Sequence, residues 1–193
     1  MNHERFEDAN AKRFQERVAD VAIGTSVLRN QGFAGAVGVA RDFVASLDLS
    51  EFGAAHDECA FMQLLDKNTV ELQRLLKERR AREGSASNSA ELWGTARKVL
   101  NVFLCEAYFH RVLGRRHGLQ NVGNWLEIPL DSQLSRAIRR EARARGLPGV
   151  RFPGVGRLDE TTSRRFQELA KRIAEEKQLP ARIYFEVDTW QRG

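Results

Sequence analysis

The chain has 193 residues, 42% of them apolar and 30% charged, a composition that fits a globular domain and argues against wholesale disorder or a membrane-embedded body. No apolar run approaches the roughly 18 residues that a membrane span needs. Lysine and arginine outnumber the acids 31 to 26, a net charge of +5 with a pI of about 9.6, and the excess is concentrated: Arg136, Arg139, Arg140, Arg143, Arg145 and Arg151 stand against the single acid Glu141.

The first residues, Met-Asn-His-Glu-Arg-Phe-Glu-Asp, carry mixed charges with no apolar stretch behind a basic end, so no secretory signal is read there and a cytosolic location is expected. From Ala9 to Ala45 the apolar residues recur at helical intervals, among them Phe14, Val18, Val21, Val27, Leu28, Val37, Val39, Phe43 and Val44. They predict two or three helices, broken at Asn30-Gln31-Gly32. Asp48 and Ser50 are placed to cap the next segment. Asp66-Lys67-Asn68 reads as a break before a helix carrying Val70, Leu72, Leu75 and Leu76. The stretch from Gly84 to Ser89 has nothing apolar larger than alanine and reads as an exposed loop.

A helix resumes near Glu91 and runs through Val99, Leu100, Val102, Phe103 and Leu104 towards Leu113, apolar on most sides and therefore expected at the centre of the fold. After an irregular connection with Gly123, Trp125 and Pro129, a helix is predicted from about Ser132 to Ala144, ended by Gly146-Leu147-Pro148-Gly149, with a loop to about residue 156. Thr161 or Thr162 is expected to cap a last long helix with Phe166, Leu169, Ala170 and Ile173 on one face. Ile183-Tyr184-Phe185-Glu186-Val187-Asp188 alternates like a strand, yet no partner strand is evident. The expectation is an all-α fold, one domain over residues 1–193, with an extended C-terminal tail. Cys59 and Cys105 are too few for a disulfide framework or an iron–sulfur cluster, and both are expected to be reduced and buried. Those cysteines with His110 and His117 lack metal-ligand spacing, so no metal and no cofactor are expected.

The chemistry-bearing segment is Leu92-Trp93-Gly94-Thr95-Ala96-Arg97-Lys98-Val99-Leu100-Asn101-Val102-Phe103-Leu104, followed by Pro129-Leu130-Asp131-Ser132-Gln133-Leu134-Ser135-Arg136. A turn into a helix offers backbone N–H groups to a phosphate, and Gly94 would let a backbone approach closely. Burying a lysine in an apolar segment favours its neutral, nucleophilic amine, and a nearby carboxylate steadies positive charge developing on a sugar. Two ordered segments of this kind resemble the helix-hairpin-helix DNA glycosylases, in which Leu-Pro-Gly-Val-Gly precedes Arg-Lys-x-x-Asn-Val-x-Leu and an Asp follows with an Arg five residues on. Leu92, Gly94, Arg97, Lys98, Asn101, Val102 and Leu104 fall on the first pattern, and Asp131 with Arg136 on the second. Trp93 and Ala96 depart from the family's Pro and Gly, and the separation of Lys98 from Asp131 is longer than in most branches, as it is in the archaeal 8-oxoguanine glycosylases. Pro153-Gly154-Val155-Gly156-Arg157 imitates the hairpin but lacks a following lysine, and reads as a loop.

The resemblance implies a two-lobed helical glycosylase fold with its catalytic segment over about 90–145, acting as a monomer on double-stranded DNA. It implies Lys98 as Schiff-base nucleophile and Asp131 as electrostatic and proton-transfer partner. Gly94, Thr95, Arg97, Arg136 and Arg140 become DNA contacts, and Gln31, Val102 and Trp190 become candidates for the pocket of a flipped base. Each residue also has a plainer reading. Lys98 alone is an ordinary solvated lysine, Asp131 is an N-cap for the helix beginning at Ser132, Asn101 braces the hairpin, and Trp190 anchors the tail. At the level of function the alternatives are a non-catalytic helix-hairpin-helix DNA-binding module and a helical adaptor whose basic face binds an acidic protein.

Overall fold

The computed structural model describes residues 3–28, 33–83 and 91–190, the first two and last two of these by backbone only. Among the described residues ten α-helices follow in order: α1 (His3–Ala9), α2 (Ala11–Ala22), α3 (Ala36–Ser46), α4 (Leu49–Gly53), α5 (Glu58–Arg82), α6 (Trp93–Phe109), α7 (Arg111–Arg116), α8 (Ser132–Ala144), α9 (Glu160–Glu176) and α10 (Tyr184–Trp190). Short 3₁₀ turns lie at Leu119–Val122 and Val155–Arg157. No strand occurs among the described residues, so the all-α expectation holds.

Four aspartates start helices by accepting backbone N–H bonds that the first turn cannot satisfy internally. Asp48 accepts from Ser50 at the start of α4, at 2.9 Å, and Asp57 from Ala60 at the start of α5, at 2.7 Å. Asp131 accepts from Gln133 and Leu134 at the start of α8, at 2.9 and 2.8 Å. The cap of α9 is Asp159, which accepts from Thr162 at 2.6 Å, rather than either threonine. The backbone bond holds the Asp159 carboxyl below its ordinary pKa.

Helix α6 is the axis. Twelve of its seventeen residues are buried, and it packs against α2, α3, α5, α7 and α9. One hydrophobic cluster runs from Ala19 and Ala40 through Phe61, Leu72, Val99 and Phe103 to Ile138, Phe166 and Phe185. α1 is docked on α7 through the buried Glu7, whose carboxylate pairs with Arg111 and with Arg115, the latter at 3.0 Å.

Three local expectations are corrected. Asp66-Lys67-Asn68 lies inside the single long helix α5; Asn68 bonds back to the Leu64 carbonyl at 2.8 Å, and Asp66 is drawn to Arg97 on α6. The C-terminal segment is the helix α10 and not a strand. A lone strand would leave its backbone groups unpaired, whereas a helix satisfies them within itself. The apparent alternation of Ile183, Phe185 and Val187 resolves into two buried residues and one that is 47% exposed. Cys105 is buried and free, but Cys59 is exposed on the first turn of α5. The glycine- and serine-rich stretch from Gly84 to Ser89, like the break at Asn30-Gln31-Gly32, lies outside the described residues.

Candidate active site

Burial along α6 leaves one open stripe. Lys98, Val102, Glu106, Tyr108 and Phe109 are its half-buried or exposed residues, and all but Tyr108 fall at i, i+4, i+8 and i+11, along one side of the helix. Lys98 is near the base of that stripe, its side chain 12% exposed. Its ammonium donates to the Val27 carbonyl at 3.2 Å and lies 4.0 Å from Oδ2 of Asp131. The two oxygens of Asp131 are thus divided: Oδ1 holds the first turn of α8, and Oδ2 faces Lys98. Capping fixes the carboxylate's direction.

Asp131 is held there by the buried segment before it. The backbone of this segment makes few helical or strand bonds, so side chains from α6, α9 and the turn before α10 satisfy it. Arg182 donates to the carbonyls of Trp125 and Leu126 at 2.6 and 2.7 Å. Gln167 accepts from the Ile128 N–H and donates to the Ile128 carbonyl, at 3.0 and 2.9 Å. Asn101 donates to Glu127 Oε2 at 3.0 Å, so it braces this segment and not the hairpin. Cys105 donates to the Glu127 carbonyl at 3.5 Å, and burial pushes its thiol pKa well up.

Arg97 is corrected from a DNA contact to a core residue, being 1% exposed. Its Nε and Nη2 donate to the two Glu127 oxygens at 2.8 and 3.3 Å, and its Nη1 donates to Asp66 and Thr69 at 2.8 and 2.9 Å. Trp93 packs against the same guanidinium, 5.3 Å from ring centre to Cζ. Gly94 and Thr95 are also buried, so the start of α6 is not an open anion cradle. The segment that imitates the hairpin covers it: a Cβ on Gly94 would fall 2.2 Å from the Val155 carbonyl oxygen and 2.7 Å from Leu158 Cβ. Gly94 is therefore a packing residue, and Gly94→Ala is expected to lower stability by about 1–3 kcal/mol. The overlap is with backbone, and it outweighs the ~1 kcal/mol that alanine gains in helix propensity. A urea titration of the two proteins measures this.

Arg136 and Arg140 are exposed, as a phosphate contact requires. α8 turns Leu134, Ile138 and Ala142 to the core at i, i+4 and i+8, which leaves the arginines outward. Together with Arg139, Arg143, Gly146 and Leu147 they line an open groove of about 600 Å³. Arg145 is turned away and paired with Glu141 and Glu176 at 2.6 and 2.7 Å. Val102 is half-buried one turn beyond Lys98 on the open stripe. Gln31 lies outside the described residues, and Trp190 is described only as the end of α10.

The sequence reading passed over Glu186. This residue, on α10, is half-buried, and burial raises its pKa to about 7, with Asp131 and Glu106 adding to the shift and Lys98 opposing it. The available signal was an acid set among Ile183, Tyr184, Phe185 and Val187. His110 caps α7 through Leu113 N–H at 3.4 Å, and His117 contacts Ser50 at 2.8 Å. No group of three or more His, Cys, Asp or Glu residues able to hold a metal ion occurs among the described residues. No helix among them is long and apolar enough to cross a membrane. Comparison of the chain with protein-family models, curated proteins and solved structures returned no match.

Proposed function

We propose that the protein is a DNA glycosylase with associated lyase activity, which flips a damaged or modified base out of double-stranded DNA and cleaves its N-glycosidic bond. The observation that carries this reading is the Lys98 amine lying 4.0 Å from Asp131 Oδ2, on the one open stripe of a buried helix. Attack requires the ammonium to give up a proton to solvent, after which the amine bonds to the sugar carbon C1′ and the base departs with the bonding pair and takes a proton from water. Asp131, held on its cap, stabilises the positive charge that develops on the sugar. Val102, adjacent on the stripe, contacts the flipped base. Arg136 and Arg140, with Arg139 and Arg143 beside them, contact backbone phosphates.

Borohydride trapping tests this directly. The protein is incubated with duplexes carrying an oxidised purine, an alkylated base, an abasic site or phage-type modified bases, alongside Lys98→Gln and Asp131→Asn. A covalent adduct with at least one duplex is expected for the parent protein and none for Lys98→Gln. Asp131→Asn is expected to slow adduct formation at least about 100-fold while keeping the fold, because asparagine caps a helix about as well as aspartate. Base release without adduct would instead mean a water-using enzyme resting on Asp131. Neither product, with DNA still bound, would leave a non-catalytic DNA-binding module.

A further inference from the structure

We propose that the arginines of α7 form a second surface for the phosphate backbone of double-stranded DNA, and that the acidic helix α1 occupies this surface in the free protein and leaves it when DNA binds. The inference shares the DNA partner with the reading above and none of its chemistry. α7 carries Arg111, Arg115 and Arg116 within six residues, and all three are exposed. Its apolar side, Val112 and Leu113, is buried, which turns the arginines outward. From Ala107 to Leu126 the sequence holds these three arginines and no acid, so their counter-charge comes from elsewhere in the chain. α1 supplies it. Glu7 pairs with Arg111 and, at 3.0 Å, with Arg115, and Asp8 pairs with Arg116 at 3.0 Å.

The dock is made of charge rather than of apolar packing. From Arg5 to Ala9 the one buried residue is Glu7, and Phe6, the one large apolar side chain of α1, is 48% exposed. Undocking α1 therefore gives up little of the apolar burial that holds a helix to a core. Ion pairs to exposed guanidiniums are worth little in water and are screened by salt. Glu7 is moreover desolvated in the docked state, and release returns its carboxylate to water. A guanidinium holds a phosphate in the same forked geometry as a carboxylate, so the exchange keeps each arginine paired. It also frees counterions condensed on the duplex. An acidic protein would bring only the carboxylates that α1 already offers at the high effective concentration of a tethered segment. A duplex brings a continuous row of phosphates together with that counterion release, and the arginine groove on α8 suits the same partner.

Amide hydrogen exchange of the whole protein at low salt, with and without a saturating undamaged duplex, tests this. The amides of α1 are expected to exchange at least about 10-fold faster in the complex, because a seven-residue helix is marginal once undocked, while those of α2 and α6 keep their protection. In parallel, Glu7→Gln with Asp8→Asn is expected to tighten duplex binding about 10-fold, and Asp8→Asn alone, which leaves the buried Glu7 in place, about 3-fold. Glu51→Gln with Glu175→Gln makes the same change of charge as the double variant at two exposed acids outside α1, and is expected to tighten binding less than about 2-fold. Arg115→Gln with Arg116→Gln is expected to lower the salt slope of binding by about 2. Amides of α1 that keep their protection in the complex, or α1 variants that bind no tighter than the control pair, would overturn the proposal, and adducts still formed in the trapping assay would leave the glycosylase reading standing. Release of α1 by poly-glutamate and not by the duplex would overturn it in favour of an acidic protein partner. No duplex binding by the parent protein or any variant would overturn it together with the DNA partner of that reading.

Discussion

Arg97→Met is expected to cost about 3–5 kcal/mol of stability, because it removes the counter-charge from a buried carboxylate. The Glu127 side chain is 1% exposed and receives two guanidinium bonds, while a third nitrogen serves Asp66 and Thr69. Burial opposes the arginine's charge, but Glu127 and Asp66 outweigh it and raise the guanidinium pKa, so the group stays an ion. Methionine fills similar volume without that charge and leaves the buried Glu127 with the Asn101 amide but no guanidinium. In a chain of this length the loss corresponds to a drop in Tm of roughly 10 °C. Adding Glu127→Gln to Arg97→Met is expected to restore part of the stability, since an amide needs no counter-ion. Arg97→Lys is expected to restore little, since one ammonium cannot span partners from α5 and the 125–128 segment as the planar guanidinium does. Urea unfolding of the four proteins measures the coupling. A loss below about 1 kcal/mol in Arg97→Met would show that the ion pairs are neutral for stability, as replaced buried pairs can be.

The same cluster shows where sequence patterns stop informing. The apolar wrap of Val99, Leu100, Phe103 and Leu104 was sufficient to place α6 at the centre, and the capping chemistry of Asp131 with Gly146 was sufficient to bound α8. Those signals are local, spanning a turn or two of helix. Arg97 gives no local signal of burial. Its partners are Asp66 and Glu127, about thirty positions away on either side, and only the packing of α5 and the 125–128 segment on α6 brings them together. Asp66-Lys67-Asn68 misled for the matching reason: a polar triplet looks like a helix break until its aspartate has a buried partner. Gly94 was legible as a point of close approach, but not what approaches, which is the Val155 carbonyl rather than a phosphate. Glu186 was hidden by the strand-like alternation around it, because six residues are too few to separate a period of 2 from one of 3.6.

Glu186 also has a stability consequence that does not depend on any DNA chemistry. Its pKa in the folded protein is about 7 against an ordinary 4.5, so the folded state holds the proton more tightly than the unfolded chain. The sign follows from linkage. The stabilisation is fully present below about pH 4.5 and is lost as pH rises through about 7, by at most about 3 kcal/mol for a shift of this size. Glutamine does not titrate. The stability of Glu186→Gln relative to the parent protein is therefore expected to be flat below about pH 4.5, to climb between there and about pH 7, and to level off above about pH 8. Urea unfolding at a series of pH values gives the curve directly, and a difference that stays flat across that interval would show that the folded protein does not hold this proton. A climbing curve would mean that the wild-type side chain opposes folding at neutral pH, where its glutamine isostere does not.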